Sequence, residues 1–402
     1  MPHAVQDITI VGASLAGLRG GEALRRADFD GPIRLIGAEQ GLPYDRPPLS
    51  KQVLAGDWEA DRIELSSEQR LTELAIEYSP GVVATGFDLA TRRLSLDGAV
   101  DREVDGLMIS TGARVRTLAQ FEGIDGVHTL RTRDESLSLA AALDRGPCRV
   151  VVIGAGFIGA EVAATVRGRG IDVTLVETLD YPMARVLGPE IGGLCGELQR
   201  DHGVDLRCGI SVTEIVGEQR VEGVQFSDGG EIAADLVVVG IGVVPNTEWL
   251  EGSGLDLDDG VVCDATCLAA PRVTAAGDVA RWFNSRFDES MRVEHWDNAV
   301  EQSGVAARRL LLDAAQAPEY RPVPWFWSDQ YDRKIQMAGR PRLDDETFLV
   351  SGSLAERRFA SIFGRDGKLT GVFAMNRPRH VMQFRMRIEE GMSWDQAIAL
   401  AD

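Results

Sequence analysis

The sequence predicts an α/β protein that carries one strand–turn–helix–strand pattern twice and ends in a smaller α+β region. Two Gly-rich turns, at residues 12–17 and 154–159, each follow a short apolar run and precede a helical stretch. From about Ala317 onward, prolines and short strand-like runs replace this pattern. The chain of 402 residues has room for roughly two to four domains.

The first copy of the pattern starts with a strand predicted over Asp7–Val11. The turn Gly12–Gly17 leads into a helix that extends to about Ala27, and the next strand, Ile33–Ile36, ends just before Glu39. Because a helix connects two apolar strands here, the order predicts a parallel βαβ unit.

The second copy repeats this order with a fuller set of glycines. A strand over Val150–Ile153 leads to the turn Gly154–Gly159, a helix follows over about Ala160–Arg169, and the strand Val173–Val176 ends next to Glu177. The repeat indicates duplication of a functional unit and not a short-period solenoid.

Further elements are predicted outside the two copies. Three buried strands that end in tight turns are predicted over Gly106–Gly112, Asp235–Gly240 and Val273–Asp278. A long amphipathic helix is predicted over about Asp297–Ala315. The C-terminal region carries a helix from Pro378 and the strand candidates Trp325–Tyr331, Lys334–Met337, Thr347–Ser351, Arg358–Phe363 and Lys368–Ala374.

The composition excludes some classes of function. Asp and Glu total 62 against 42 Lys and Arg, a net charge of −20, whereas a nucleic-acid-binding protein needs a basic face. No apolar run approaches the ~20 residues that cross a bilayer, and no charged-then-apolar leader opens the sequence, so we expect neither membrane insertion nor secretion. The five scattered cysteines form no CxxC pair, which favours reduced thiols in a cytoplasm.

The glycines of the second turn are those that a dinucleotide site requires. Gly154 permits the tight turn, Gly156 lets the backbone approach a pyrophosphate at the helix N-terminus, and Gly159 allows close helix–strand packing. Glu177 lies 18 residues past Gly159, where a carboxylate accepts a hydrogen bond from a ribose 2′-hydroxyl and repels a 2′-phosphate. The site is therefore predicted to bind NAD and not NADP.

The first turn departs from this pattern, because Ser14 replaces the middle glycine. Its hydroxyl can donate to a phosphate, and Glu39 lies 22 residues past Gly17, at the position of a ribose. Asp278 follows a third strand end and can bind the ribityl or pyrophosphate part of a flavin dinucleotide. The first turn is therefore predicted to bind a dinucleotide.

Two dinucleotide sites in one chain predict the passage of a hydride between a nicotinamide and a tightly held flavin. In that setting Pro47 and Pro48 stiffen a loop that aims Lys51 at the flavin, where an ammonium stabilises negative charge. The alternative for Lys51 is a solvated surface side chain.

Motifs along nearly the whole chain resemble the NADH-dependent ferredoxin reductases that serve bacterial oxygenase systems, within the glutathione-reductase-like flavoprotein group. The matching segments are Ile10–Gly17, Arg46–Lys51, Ser110–Ala113, Val152–Glu161, Met183–Gly188, Gly240–Asn246, Ala276–Val279 and Glu294–Ala299.

The resemblance implies two Rossmann-like dinucleotide-binding domains, one for FAD and one for NAD, plus a C-terminal α+β domain. The FAD-binding domain would be discontinuous, over residues 1–112 and 244–316. The NAD-binding domain would cover residues 113–243, and the C-terminal domain residues 317–402.

The resemblance also implies roles for single residues. Lys51 and Glu161 would pair beside the reactive edge of the flavin and would be the catalytic residues. The FAD contacts would be Gly12, Ser14, Ala16, Glu39, Lys51, Ala84, Arg131 and Asp278, with Trp296 against the isoalloxazine or nicotinamide. Further cofactor-binding residues would be Gly17, Arg46 and Gly242. The NADH contacts would be Gly154, Gly156, Phe157, Ile158, Gly159, Glu177 and Arg185. The alternatives are a core tryptophan for Trp296 and a solvated acid for Glu161.

The implied activity is electron transfer from NADH through FAD to a two-iron two-sulfur ferredoxin that feeds an oxygenase, in a cytoplasmic monomer or homodimer without a metal site. No cysteine precedes Cys148, so disulfide reduction through a protein dithiol is not expected. An NADH–rubredoxin reductase and a redox-sensing flavoprotein similar to apoptosis-inducing factor are the alternatives. Because ferredoxins are usually acidic, a local basic patch is predicted for docking, and one candidate is Arg377, Arg379, Arg385 and Arg387 with Arg333 and Lys334. The alternative is a solvated arginine-rich helix beside Glu389 and Glu390.

Overall fold

The computed structural model of the chain describes residues 5–184 and 186–401. The chain divides into two compact units. The first comprises Met1–Asp45, Ile63–Arg114 and Val244–Pro324, and the second comprises Arg46–Arg62, Val115–Val243 and Trp325–Asp402. The predicted α/β class is confirmed.

The strands, in chain order, are β1 Ile8–Val11, β2 Ile33–Gly37, β3 Ile76–Pro80, β4 Val83–Asp88, β5 Arg93–Asp97, β6 Arg102–Glu103, β7 Gly106–Ile109, β8 Ala113–Val115, β9 Val127–Thr129, β10 Arg149–Ile153, β11 Asp172–Glu177, β12 Asp205–Cys208, β13 Val212–Val216, β14 Gly223–Phe226, β15 Glu231–Ala233, β16 Leu236–Val239, β17 Val243–Pro245, β18 Val261–Cys263, β19 Leu268–Ala270, β20 Val273–Ala275, β21 Ala280–Asn284, β22 Glu289–Arg292, β23 Trp325–Gln330, β24 Arg333–Gly339, β25 Glu346–Ser353, β26 Arg358–Arg365 and β27 Lys368–Met375.

The α-helices are α1 Leu15–Arg26, α2 Gln52–Ala55, α3 Glu68–Glu73, α4 Arg133–Asp144, α5 Phe157–Gly168, α6 Pro189–Asp201, α7 Trp296–Leu311, α8 Pro378–Glu390 and α9 Trp394–Ile398. Among the described residues, none of these helices is long and apolar enough to cross a membrane.

The main sheet of the first unit has the strand order β19-β20-β7-β1-β2-β3, and its pairings from β20 to β3 are parallel. All four residues of β1 are buried, as expected for a central parallel strand. The predicted strand–helix–strand order is confirmed in β1, α1 and β2. Helix α1 packs against α7, so the ends of the two helices and the strand ends of the sheet surround the first Gly-rich turn.

Helix α7 is shorter than predicted. It ends at Leu311 instead of Ala315, because the backbone of Leu312 is extended (φ −105°, ψ 144°) and a separate 3₁₀ turn follows over Ala314–Gln316. An extended residue cannot continue the helical hydrogen-bond ladder.

The main sheet of the second unit has the order β12-β11-β10-β16-β9 and is parallel throughout. Helix α5 packs on β10 and β11. It begins at Phe157, three residues before the predicted start, because the glycine turn itself caps the helix.

An antiparallel sheet of order β23-β24-β27-β26-β25 also belongs to the second unit, with α8 packed on β24 and β27. All five strands predicted for the C-terminal region are confirmed. Ile335, Phe359 and Phe373 of this sheet share one buried apolar cluster with Ile191 and Leu198 of α6. The C-terminal sheet and the helices beside β10 therefore share a core.

Candidate cofactor sites

The first Gly-rich turn connects strand β1, which ends at Val11, directly to helix α1, which begins at Leu15. Gly12 has φ +105°, and a Cβ there would lie 2.1 Å from the carbonyl oxygen of Ser110, which follows the neighbouring strand β7. A Cβ on Gly17 would lie 1.9 Å from the carbonyl oxygen of Gly12. Ser14 is the N-cap of α1 and makes no capping hydrogen bond. The first N–H groups of α1, which include that of Ala16, therefore have no side-chain acceptor from this residue and suit a phosphate.

Two carboxylates stand at the same edge of this sheet. Strands β1, β2, β7 and β20 are parallel neighbours, so the residues that follow them lie at one edge. Glu39 follows β2, is half-buried and accepts a hydrogen bond from the Tyr44 hydroxyl. Asp278 lies in the 3₁₀ turn Gly277–Val279 that follows β20.

The turn that carries Asp278 is held by residues that sequence reasoning missed. The Gly277 N–H donates to Oε1 of Gln302 on α7 at 2.9 Å, and Arg292 donates to the Asp278 carbonyl at 3.1 Å. Gln302 is fully buried. Gln302 lies on α7 three residues after the Glu294–Ala299 motif, and this position was the sequence signal that could have indicated its role.

Trp296 is the first residue of α7 and is not an ordinary core side chain. It packs beside Leu15 and Ala16 at the start of α1, and its indole N–H donates to Asp45 Oδ1 at 2.7 Å. The structure therefore places Trp296 next to the first Gly-rich turn.

Ala84 lies on β4, opposite Leu96 of β5 in a small antiparallel sheet. The Val82 N–H, two residues earlier, donates to the carbonyl of Gly37 at the end of β2 at 3.0 Å. The segment with Ala84 therefore leaves the main sheet beside the end of β2.

The second Gly-rich turn has the geometry predicted for it. Gly154 has φ +100°, a Cβ on it would lie 2.4 Å from the Gly240 carbonyl oxygen, and a Cβ on Gly159 would lie 1.9 Å from the Gly154 carbonyl oxygen. Gly156 is the N-cap of α5, and nothing lies within 4 Å of a Cβ built there. A ligand can therefore approach this backbone closely.

The next two residues open helix α5. Ile158 is 50% exposed, whereas Phe157 packs edge-on against Phe326 of β23 with ring centroids 4.4 Å apart. Gly242, after β16, has φ +100° and nothing within 4 Å of a built Cβ. Arg185, the remaining predicted NADH contact, lies outside the described residues.

Glu177 is the last residue of β11 and is fixed at the second turn. Its Oε2 accepts from the Ala155 N–H at 2.9 Å, and its Oε1 accepts from the Leu179 N–H at 3.0 Å. Because Ala155 lies inside the Gly-rich turn, the carboxylate is held where a ribose next to the pyrophosphate would lie.

Arg46 and Arg131 lie together in the second unit. Arg46 Nη1 donates to the Arg131 carbonyl at 2.5 Å, and the Arg131 N–H donates to Glu135, whose carboxylate also closes the capping box of α4 with Thr132. The structure thus brings together two arginines separated by 85 positions.

Lys51 and Glu161 form an ion pair. Lys51 follows the 3₁₀ turn Pro47–Ser50, and its Nζ lies 3.0 Å from Glu161 Oε2, with the two side chains 12% and 3% exposed. Neither is the solvated surface group that the sequence left open as an alternative. The stiff proline turn and helix α5 together fix the ammonium against the carboxylate.

Two serines complete the surroundings of Glu161 and were missed from the sequence. Ser50 Oγ donates to Oε2 at 2.5 Å, and Ser328 Oγ of β23 donates to Oε1 at 2.8 Å. Ser50 stands inside the Arg46–Lys51 motif and could have been found there. Ser328 lies 167 positions from Glu161, and no local pattern connects them.

The cysteines are not arranged for redox chemistry. All five are free thiols, and Cys195, Cys263 and Cys267 are buried. Burial raises the pKa of the Cys195 and Cys263 thiols to about 12 and also raises the pKa of Cys267. Within residues 5–184 and 186–401, no group of His, Cys, Asp or Glu could hold a metal ion.

The predicted basic patch is partly neutralised. Arg387 pairs with Glu390, Lys334 with Asp329 and Arg333 with Asp332. Arg385 lies over the Trp325 ring, 5.8 Å from its centroid, and Arg379 is exposed on α8. Arg377, the N-cap of α8, is half-buried.

Comparison with known proteins identifies the family. The profile of the pyridine nucleotide-disulphide oxidoreductases matches residues 6–303. The chain belongs to this family. The reductase C-terminal profile matches residues 325–402 of this oxidoreductase, the part that forms the antiparallel sheet with α8 and α9.

Relatives of this oxidoreductase match over nearly the whole chain. Rhodocoxin reductase of Rhodococcus erythropolis is 39% identical over 384 residues, which cover 94% of this chain and 88% of that protein. The ferredoxin–NAD(+) reductase component of the anthranilate 1,2-dioxygenase system of Burkholderia cepacia is 37% identical over 394 residues, covering 96% and 95%.

A solved structure agrees with this relationship. Putidaredoxin reductase, in its covalent complex with putidaredoxin, superposes with a TM-score of 0.93 and 32% identity, covering 100% of this chain and 96% of that one. The resemblance to the ferredoxin reductases of oxygenase systems is confirmed.

Proposed function

We propose that the protein passes electrons from NADH through FAD to a two-iron two-sulfur ferredoxin that feeds an oxygenase. The observation that carries the proposal is the presence of two Gly-rich βα turns in one chain, each with a carboxylate near the end of the neighbouring strand. The full-length similarity to ferredoxin reductases supports the same conclusion.

The residues of the first turn fit an adenine dinucleotide. The tight turn at Gly12 and the missing side-chain cap on α1 leave backbone N–H groups for a pyrophosphate. Glu39 and Asp278 offer acceptors for hydroxyl groups, and Trp296 offers an aromatic face beside α1. In this proposal residues 1–112 and 244–316 form the FAD-binding domain, Ala84 and Arg131 keep their assignment as FAD contacts, and Arg46 is a further cofactor contact.

The second turn, in the proposed NAD-binding domain of residues 113–243, binds the diffusible cofactor. The open space at Gly156 accommodates a pyrophosphate, while Phe157 and Ile158 flank it. The Glu177 carboxylate accepts a hydrogen bond from a 2′-hydroxyl and repels a 2′-phosphate, which selects NADH over NADPH. Gly242, on the neighbouring strand end, and Arg185 are proposed as further cofactor contacts.

FAD, when bound, supplies the conversion of a two-electron hydride donor into one-electron transfers. Lys51 presents a positive charge to the negative charge that develops during reduction, and Glu161 keeps the ammonium in place. No described side chain is required as a general acid or base in this scheme, so the chain acts through positioning and electrostatics.

The visible spectrum of the purified protein tests this proposal. We expect a yellow protein whose flavin bands disappear with NADH under anaerobic conditions, and far more slowly with NADPH. A colourless protein that takes up no flavin on reconstitution would refute the proposal. Equal rates with the two nicotinamides would refute the assignment of Glu177.

The partner is tested by NADH-dependent reduction of cytochrome c with added iron–sulfur protein. Fast turnover that depends on a two-iron ferredoxin supports the proposal. Preference for a one-iron rubredoxin, or slow turnover with NADH-dependent dimerisation, would point to the two alternatives instead. We also propose a cytoplasmic location, which the five free thiols support.

A further inference from the structure

The Lys51–Glu161 pair is surrounded by hydrogen bonds that reach it from the C-terminal sheet. Ser50 and Lys51 occupy one oxygen of Glu161, and Ser328 of β23 donates to the other. Ser328 is 0% exposed. A carboxylate paired with an ammonium is only an acceptor, so the proton of the Ser328 hydroxyl must point at Glu161.

The direction of the hydrogen bond from Ser328 to Glu161 determines the direction of the three hydrogen bonds that connect Ser328 to Tyr331 through two glutamines. The Ser328 oxygen can only accept, and it does so from Gln330 Nε2 at 3.1 Å. Gln330 then turns its Oε1 towards Gln199 Nε2 at 3.0 Å, and Gln199 turns its Oε1 towards the Tyr331 hydroxyl at 2.8 Å. Four donors therefore point in one direction, from Tyr331 to the carboxylate. Reversing the Gln330 amide would set its Nε2 against Gln199 Nε2, donor against donor, and reversing the Gln199 amide would set its Oε1 against Gln330 Oε1, acceptor against acceptor.

The surroundings make this chain of hydrogen bonds strong. Gln330 is 0% and Gln199 is 1% exposed, and hydrogen bonds that run in one direction in a low-dielectric interior polarise one another. The Tyr331 hydroxyl stays a donor because burial raises the pKa of Tyr331. Its ring stacks on His202 with centroids 3.6 Å apart, which fixes the far end.

We propose that Ser328, oriented by Gln330, Gln199 and Tyr331, is a positioning residue that fixes the Glu161 carboxylate so that Lys51 keeps its place. This inference rests on the function proposed above, in which Lys51 acts towards FAD. The C-terminal sheet thus reaches the Lys51–Glu161 pair through side-chain hydrogen bonds inside the second unit.

The first test measures the lysine itself. The chain has three lysines, Lys51, Lys334 and Lys368, so peptide mapping after brief treatment of the FAD-loaded protein with an amine-acylating reagent resolves each one. The Lys51 side chain is 12% exposed and its ammonium is held against Glu161, so a reagent reaches its nitrogen slowly. With Ser328→Ala, we expect Lys51 to be acylated about tenfold faster relative to the two exposed lysines, as for loss of one hydrogen bond to a charged group.

Two further variants keep this test decisive. Tyr331→Phe retains the ring on His202 and removes only the last donor, and we expect about a threefold faster acylation of Lys51. Ser361→Ala removes a buried hydroxyl of β26 in the same sheet, which has no hydrogen bond to the Glu161 network, and should leave Lys51 unchanged.

The second test follows flavin reduction by NADH in a stopped-flow instrument. Ser328→Ala should lower the limiting rate about tenfold without changing the NADH concentration for half-saturation. In a Lys51→Met background the same change should have no further effect. Equal Lys51 acylation and equal limiting rates in Ser328→Ala, Tyr331→Phe and Ser361→Ala would overturn the inference. If NADH does not reduce the wild-type flavin at all, the proposed function fails, while the acylation rates still decide the role of Ser328.

Discussion

At the scale of single residues, the proposed selection of NADH over NADPH depends on a carboxylate that the backbone holds in place. Glu177 is held at both oxygens by the backbone, including an N–H inside the second Gly-rich turn. A side chain fixed in this way meets a 2′-phosphate with its full charge, whereas a solvated glutamate could rotate into water.

We therefore predict that Glu177→Gln raises kcat/KM for NADPH about tenfold, because the repulsion is removed while an acceptor for the 2′-hydroxyl remains. Steady-state ferricyanide reduction with each nicotinamide measures this change. Glu190→Gln, at an exposed position of α6, is the matched control. An unchanged NADPH preference in Glu177→Gln would show that another residue selects the cofactor.

The thiols give a second prediction at this scale. Burial raises the pKa of Cys195 and Cys263 to about 12, and the thiolate is the reactive form. Below that pH these groups stay protonated, so their reactivity should appear only above about pH 11 or after unfolding. A thiol reagent at pH 8 should therefore titrate the exposed Cys148 rapidly. Rapid reaction of the buried thiols in the folded protein would contradict the burial argument.

At the scale of secondary-structure elements, each Gly-rich turn is a junction at which a helix starts against the carbonyl of its own strand end. A Cβ on Gly159 would lie 1.9 Å from the Gly154 carbonyl oxygen, and a backbone atom cannot yield as a flexible side chain can. Helix α5 also carries Glu161, so a displacement of its first turn would move the ion pair.

Gly159→Ala is accordingly expected to destabilise the protein by about 2–4 kcal/mol and to weaken NADH binding. Gly168, at the end of the same helix, has nothing within 4 Å of a built Cβ. Gly168→Ala should therefore raise stability by about 0.5–1 kcal/mol through the unfolded state. Thermal unfolding and NADH titration of Gly159→Ala and Gly168→Ala measure these effects. Equal changes in stability for the two variants would show that a Cβ at Gly159 does not clash with the Gly154 carbonyl.

At the scale of the whole molecule, the C-terminal sheet shares a hydrophobic core with the rest of the second unit. Phe359 of β26 is fully buried in the apolar cluster that includes Ile191 and Leu198 of α6. Arg357 adds an ion pair with Glu197 of α6 at 3.4 Å.

Phe359→Ala should cost about 3–5 kcal/mol of unfolding free energy, because it opens a cavity in this shared core. Phe348→Ala, on the edge strand β25 and 36% exposed, should cost far less. Calorimetry should show the transition of the whole second unit shifted by Phe359→Ala. A shift confined to a separate C-terminal transition would mean that this sheet unfolds alone.

Net charge sets the conditions for partner binding. With a net charge of −20, the protein as a whole repels an acidic ferredoxin, so we expect a local basic patch to offset this repulsion at the docking site. We predict that Arg379→Glu with Arg385→Glu raises the apparent KM for the ferredoxin and leaves NADH–ferricyanide activity intact. An unchanged KM for the ferredoxin would remove these two arginines from the docking surface.

The sequence by itself determined the features that depend on neighbouring residues. Both βαβ units, their glycine turns and the carboxylates Glu39 and Glu177 follow from patterns within about 25 positions, because strand periodicity, turn conformation and strand-end chemistry are local. The five C-terminal strands were predictable for the same reason. The end of α7 was not, since the extended backbone of Leu312 follows from no local signal.

Only the tertiary structure decided what surrounds the Lys51–Glu161 ion pair. Whether Glu161 is buried, and that Ser328 donates to it from 167 positions away, depends on how β23 packs against α5. The same holds for the contact between Arg46 and Arg131. Contacts of this kind arise from the path of the chain through a packed core, in which burial, and not sequence spacing, forces each polar group to find a partner.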